Sequence, residues 1–198
     1  MAARPLPFHP PRRRTLPRRL ARLAWAYLWL FAAGVLLAWA WQQPGAQRAR
    51  LAWELSRMPA PESLPVPVQG VAAPRVADTF GAPRGSDRLH EGVDIFAPRG
   101  ALVTSSTRGI VTAVRDRGLG GRQVWVRGPG GESHYYAHLD DWAPGLEAGT
   151  MVEPGTVLGM VGNTGNARTT PPHLHYGIYT GDGAVDPLPR LRAHPAAP

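Results

Sequence analysis

ALVTSSTRGIVTAVRDRGLGGRQVWVRGPGGESHYYAH, residues 101–138, decides the fold. It holds four short runs rich in β-branched and aromatic residues, ALVTS, GIVTAVR, RQVWVR and ESHYYAH, and the breaks RDRGLGG and RGPGG between them have turn chemistry. The pattern continues downstream in TVLGMVG (156–162) and HLHYGIY (173–179). No segment from Arg75 to Leu191 keeps a 3.6-residue apolar period for three turns. The expectation is a mainly β domain over 75–191, a compact set of antiparallel sheets, with a loose tail over 192–198 that has nothing to bury.

Upstream of that domain the composition changes. From Leu23 to Trp41 runs LAWAYLWLFAAGVLLAWAW, 19 residues without a charge. A helix of that length reaches about 28 Å, close to the hydrocarbon thickness of a bilayer. Trp25, Tyr27 and Trp29 lie toward one end and Trp39 and Trp41 toward the other, like the aromatic belts at the two interfaces. Residues 23–41 therefore read as one N-terminal transmembrane signal-anchor helix. A cleaved signal peptide is the competing reading, since Ala38-Trp39-Ala40 loosely fits a small-x-small site. Residues 42–74 read as a stem. Its first part, Gln47 to Met58, has Leu51 and Leu55 four apart on one helical face. Prolines at 59, 61, 65, 67 and 74 then suggest an extended spacer. Such a stem would hold the domain up to about 70 Å from the bilayer.

Charge is distributed just as unevenly. All 22 basic residues are arginine, and seven of them precede position 23 with no acid among them. Residues 1–22 form a basic arm that the positive-inside rule keeps cytoplasmic, which places the domain in the periplasm or cell exterior and the anchor in the inner (cytoplasmic) membrane. The remainder carries 15 arginines against 14 acids. A nucleic-acid binder should carry its basic surface on the folded part, so nucleic acid is not expected as a partner. The chain has no lysine and no cysteine, which excludes Schiff-base chemistry, biotinyl or lipoyl attachment, disulfides and thiolate metal sites. Histidine and carboxylate remain as the strong metal ligands.

Five of the seven histidines fall in three places inside the β region: His90 with Asp94 in HEGVD, His134 and His138 in SHYYAHLD, and His173 with His175 in PHLH. HEGVD looks one letter away from the helical HExxH motif. Gly92, Val93 and Ile95 argue against a helix, so Glu91 is not assigned as a general base. An extended strand would put His90 and Asp94 about 13 Å apart, and Gly92 lets the chain curve so that both reach one ion. His173 and His175 leave the same face of a strand. The same alternation puts His138 on a face with Tyr136 and His134. Two histidines and one carboxylate suit one zinc ion per chain, with a fourth position open to water.

H90-E-G-V-D94, the YAHL of Tyr136 to Leu139, the VxxGxxLGxVGxTG of Val152 to Gly165 and HLH at 173–175 resemble, in order and spacing, the lysostaphin or LytM-type zinc endopeptidases of bacterial peptidoglycan, with the duplicated hybrid motif fold. The resemblance covers about Phe80 to Tyr179. It implies metal ligands His90, Asp94 and His175, a catalytic pair His138 and His173, and a sheet groove that receives a peptidoglycan peptide. One of the pair would be the base and the other would stabilise the oxyanion, with the sequence silent on which. Three departures stand out: Pro171 and Gly177 replace a glycine and a glutamate of the family pattern, and Arg84 stands where some members carry a tyrosine. Degenerate members that bind and activate a cell-wall amidase are the rival reading. Specificity is expected from the loops Asp116 to Arg122 and Asp140 to Gly149.

Overall fold

The computed structural model describes residues 18–85 and 87–195. Residues 1–17 of the basic arm and 196–198 of the tail lie outside the described residues. The chain divides between Ala46 and Gln47 into two units. The first contains α1 (Arg18–Trp41), whose span Arg19–Trp41 is long and apolar enough to cross a membrane and is unburied. The helix starts earlier than Leu23 and takes in Arg18, Arg19 and Arg22.

The second unit is mainly antiparallel β. Its strands are β1 (Val93–Phe96), β2 (Leu102–Thr104), β3 (Gly109–Asp116), β4 (Arg122–Arg127), β5 (Ser133–Ala137), β6 (Leu139–Trp142), β7 (Met151–Val152), β8 (Val157–Val161), β9 (His173–Thr180) and β10 (Gly183–Val185). A large sheet runs in the order β1-β9-β5-β4-β3-β7, with β10 also on β9, and a smaller one runs β2-β8-β6. Alternation along each strand explains the core. Val93 and Ile95 of β1, Leu174, Tyr176 and Ile178 of β9, Tyr136 of β5 and Val124 and Val126 of β4 are buried together with Val103, Leu139, Leu158 and Val161 of the smaller sheet. The intervening residues of β1 and β9, Asp94, His173 and His175, belong to the other face of the large sheet.

Two helical elements join this unit. In α2 (Pro44–Arg57) Leu51 and Leu55 are the buried residues, on the face the sequence spacing indicates. The short α3 (Leu188–Ala193) buries Leu188 and Leu191, so Arg192 and Ala193 of the expected loose tail are helical.

The proline-rich segment departs from expectation. Instead of spanning solvent as a spacer, residues 59–76 strap the domain, and Leu64, Val68 and Val76 are part of its core. The Leu64 amide donates to the Arg190 carbonyl at 3.0 Å, the Gln69 amide to the Leu102 carbonyl at 3.0 Å, and the Thr104 amide to the Pro67 carbonyl at 3.0 Å. Val68 forms an antiparallel bridge with Val103. Extended backbone at a sheet edge uses only some of its amides, so Pro65 and Pro67 occupy positions where no donor is required.

One buried polar cluster lies within this core. His134 is fully enclosed, its Nδ1 is 2.8 Å from the Tyr176 hydroxyl, and its Nε2 has no hydrogen-bond partner among the described residues. Burial, with the nearby Arg190 charge second, pushes its pKa down to about 3. The folded protein therefore keeps His134 neutral while the unfolded chain protonates it near pH 6.5. Between those values the unfolded state binds more protons, so stability is highest above pH 6.5 and falls as pH drops toward 3, by up to about 1.4 kcal/mol per pH unit from this residue. Urea unfolding at a series of pH values should show this slope, and His134→Gln should flatten it; parallel curves for both proteins would rule His134 out as its source.

Candidate active site

Strand register builds the centre. Asp94 of β1 and His175 of β9 are direct cross-strand partners, and Ala137 of β5 pairs with His175 from the other side. Side chains of directly paired residues stand next to each other on one face. His90 enters from the turn before β1. Gly92 makes that approach possible through space and not through an unusual φ: a Cβ there would lie 2.5 Å from the Tyr176 carbonyl oxygen and 2.8 Å from Cε1 of His175.

Three donor atoms converge as a result. His90 Nε2 is 2.8 Å from His175 Nδ1, His175 Nδ1 is 3.3 Å from Asp94 Oδ1, and His90 Nε2 is 3.1 Å from the same oxygen. All three residues can hold a metal ion. The surroundings prepare them for it. His90 Nδ1 lies 2.7 Å from the Thr79 carbonyl, which can only accept, so Nδ1 carries the proton and Nε2 keeps its lone pair toward the centre. Thr79 Oγ1 also accepts the Asp94 amide at 2.9 Å. Arg84 pairs through Nη2 with Asp94 Oδ2, leaving Oδ1 to face the two histidines. Burial pushes the Asp94 carboxyl up, but its contacts with His175 and His90 outweigh burial and hold the group well below the usual carboxylate range. Burial keeps His175 neutral by pushing its pKa down.

His138 and His173 flank this centre. Their ring centroids are 5.1 Å apart, and that of His138 is 5.9 Å from His175. Each fixes its tautomer on a backbone carbonyl: His138 Nδ1 on Thr164 at 2.9 Å, His173 Nδ1 on Pro171 at 2.8 Å. Nε2 is thus the nitrogen of each ring left free of a backbone partner. Burial, then the charges of His173 and His175, push His138 down to about 4.

The alternation expected along 134–138 fails at its last residue. Tyr136 and His134 face the core, while His138 joins Tyr135 and Ala137 in lining the groove. His138 has φ 64°, and that left-handed turn between β5 and β6 swings its side chain to the other face.

The groove has a volume of about 760 Å³. Leu119 and Gly120 of the Asp116 to Arg122 loop line it, but among the described residues none from Asp140 to Gly149 does; Arg84, Gly85, Asp87, Arg88 and Leu89 on one side and Asn166, Ala167 and Thr170 on the other complete its walls. Gly177 lies within β9 opposite Tyr135, not in a loop. Glu91 is an exposed rim residue, separate from the converging donors. Thr79 and Tyr135 escape sequence reading, since neither belongs to a motif with metal-ligand spacing.

Comparison with known proteins agrees with this construction. The L-Ala--D-Glu endopeptidase of Bacillus subtilis (strain 168) is 42% identical over 126 residues, 58% of this chain and 39% of that one. The chain thus spans about two fifths of that relative's length. The catalytic domain of lysostaphin from Staphylococcus simulans superposes with a TM-score of 0.53 at 28% identity, covering 59% of this chain and 91% of that one. Helicobacter pylori Csd3 superposes with a TM-score of 0.52 at 31% identity, covering 67% of this chain and 35% of that one. The model of peptidase family M23 matches residues 88–187, the stretch that carries HEGVD, YAHL and HLH. With half its length matched and the LytM and lysostaphin fold around the matched residues, the chain belongs to peptidase family M23.

Proposed function

We propose that this chain is a membrane-anchored zinc endopeptidase that hydrolyses peptide stems or cross-links of peptidoglycan. The observation that carries the reading is the convergence of His90 Nε2, Asp94 Oδ1 and His175 Nδ1 at 2.8–3.3 Å beside two tautomer-fixed histidines. Two imidazoles and one carboxylate are a donor set that suits zinc with a position left open for chemistry. Zinc there would polarise the scissile carbonyl and acidify the attacking water.

The protein's own residues do the rest. The groove floor of Tyr135, His175 and Tyr179 receives an extended peptide. His138, neutral at pH 7, offers Nε2 as the proton acceptor. His173, its Nδ1 tied to the Pro171 carbonyl and its ring 5.1 Å from that of His138, stands beside it to stabilise the developing oxyanion. Arg84 holds the Asp94 carboxylate in one orientation.

The domain organisation follows from the same reading: a basic cytoplasmic arm over 1–22, an anchor over 23–41, and a catalytic unit facing the periplasm or cell exterior. The strap and most of α2 extend that unit upstream of Arg75 to Gln47. The amidase-activator alternative draws no support from the site, because all five residues are present and brought together.

Digestion of muropeptides of defined cross-link, read by mass spectrometry with and without a chelator, tests the proposal. Cleavage of one peptide linkage, lost on chelation and restored by zinc, is expected. Intact muropeptides alongside stimulation of an added amidase would replace the enzyme reading with the regulator.

A further inference from the structure

The outer face of α2 has chemistry that the site does not use. Leu51 and Leu55 turn inward, and the opposite stripe carries Arg50, Trp53 and Arg57, spaced three and four apart. Trp53 is 59% exposed, and the Arg57 guanidinium carbon sits 4.9 Å from its ring centroid. The pair therefore presents an apolar ring and a positive charge together at one exposed point of the helix. It suits a headgroup layer, where the ring finds a half-apolar medium and the guanidinium finds phosphate. The helix is also net basic, with Arg48, Arg50 and Arg57 against Glu54.

Glu54 is 2.9 Å from Arg50 and 3.9 Å from Arg108, and Arg108 also meets Glu153 at 3.2 Å. These pairings occupy Glu54 from both sides, and Arg57 remains stacked on Trp53.

Connectivity identifies the occupant. Only Gln42 and Gln43 separate the end of α1 at Trp41 from the start of α2 at Pro44, a link that reaches about 10 Å at full extension. Beyond α2 no slack is available, because the Gly130 amide holds the Met58 carbonyl at 2.9 Å and the strap is bonded into the sheets from Leu64 onward. If α1 spans the bilayer, as the proposed function has it, α2 stays at the membrane surface.

We propose that Arg50, Trp53 and Arg57 form a contact with anionic phospholipid headgroups that seats the catalytic unit directly on the bilayer. The inference rests on the anchor reading of α1 and adds to it a second, surface attachment. Its consequence is a short working range: the groove serves the peptidoglycan nearest the membrane.

The chain has no cysteine, so Ala49→Cys, an exposed position beside the stripe, gives a single labelling site on the full-length protein. The labelled protein is reconstituted into nanodiscs of phosphatidylcholine alone or of phosphatidylcholine with phosphatidylglycerol. An environment-sensitive fluorophore at this position is expected to shift to the blue and lose iodide quenching in the anionic discs, to revert in high salt as screening requires, and to lose the response in Arg50→Glu/Arg57→Glu. Both arginines are exposed, so that variant leaves the core intact. A protein that co-elutes with both kinds of disc yet keeps one emission maximum overturns the surface contact and leaves the anchor standing. A protein that fails to co-elute overturns the anchor, and the contact with it. A blue shift in detergent that grows with protein concentration would mark a contact between copies and overturn the lipid assignment.

Discussion

Full-length protein carrying His173→Ala is expected to retain its metal and lose about 10² to 10⁴ in turnover, whereas His175→Ala should lose both. The two residues stand two apart on β9, so a folding defect in that strand would affect both alike. Their partners separate them. His175 Nδ1 lies 3.3 Å from Asp94 Oδ1 and 2.8 Å from His90 Nε2, whereas His173 Nε2 is 3.8 Å from that oxygen and its Nδ1 is tied to the Pro171 carbonyl. Removing one of three protein ligands takes away a third of the binding set, so Asp94→Ala should behave as His175→Ala does. The check is metal content of the purified variants beside hydrolysis of peptidoglycan, with circular dichroism to establish that each is folded. A folded His173→Ala protein as metal-free as His175→Ala would move His173 into the ligand set.

Gly92→Ala should be nearly as damaging, although it deletes no functional group. The added methyl would meet the Tyr176 carbonyl oxygen at 2.5 Å and the His175 ring at 2.8 and 2.9 Å. Tyr176 lies in the middle of β9 and is register-paired with both Val93 and Tyr136, so its carbonyl has no room to retreat. The His175 ring and the turn carrying His90 must move instead. Overpacking of this kind costs about 1–3 kcal/mol. The displaced donors should weaken metal binding by about 10- to 100-fold, the size of effect seen when ligand orientation is disturbed. Gly181→Ala is the matching control, since no atom lies within 4 Å of its added methyl. Competition against a chromogenic chelator measures affinity, and thermal unfolding in excess chelator separates the packing penalty from the metal. Wild-type affinity in Gly92→Ala would mean that the turn relaxes freely and that glycine is not required there.

These expectations also mark how far the sequence could be read. The glycine-broken runs were sufficient for the sheets, and the four motifs singled out the side chains that the fold brings together, because period-two alternation and motif spacing are local properties. Leu51 and Leu55 announced the buried face of α2 for the same reason. The strap was illegible: prolines at 65 and 67 read as a spacer, and only the placement of Leu102 and Thr104 beside them reveals an edge whose unneeded donors fall on proline. Alternation also failed at His138, where one positive φ reverses the face. Thr79 gave no signal and Arg84 stood out only as a departure from the family pattern, since their effect on Asp94 depends on a fold that brings together residues 15 and 10 positions apart in no recognised pattern.

That positive φ has an evolutionary consequence. Among the described residues His138 is the one non-glycine in the left-handed region, a conformation that disfavours a side chain by about 1–2 kcal/mol. Glycine would fit the same turn without strain, so this chain carries the histidine against the preference of its own backbone. If His138 is the proton acceptor proposed above, its replacement by glycine in a lineage released from the need to hydrolyse anything would strengthen the fold as it silenced the enzyme, so loss of activity at this position would be a downhill step and its reversal an uphill one.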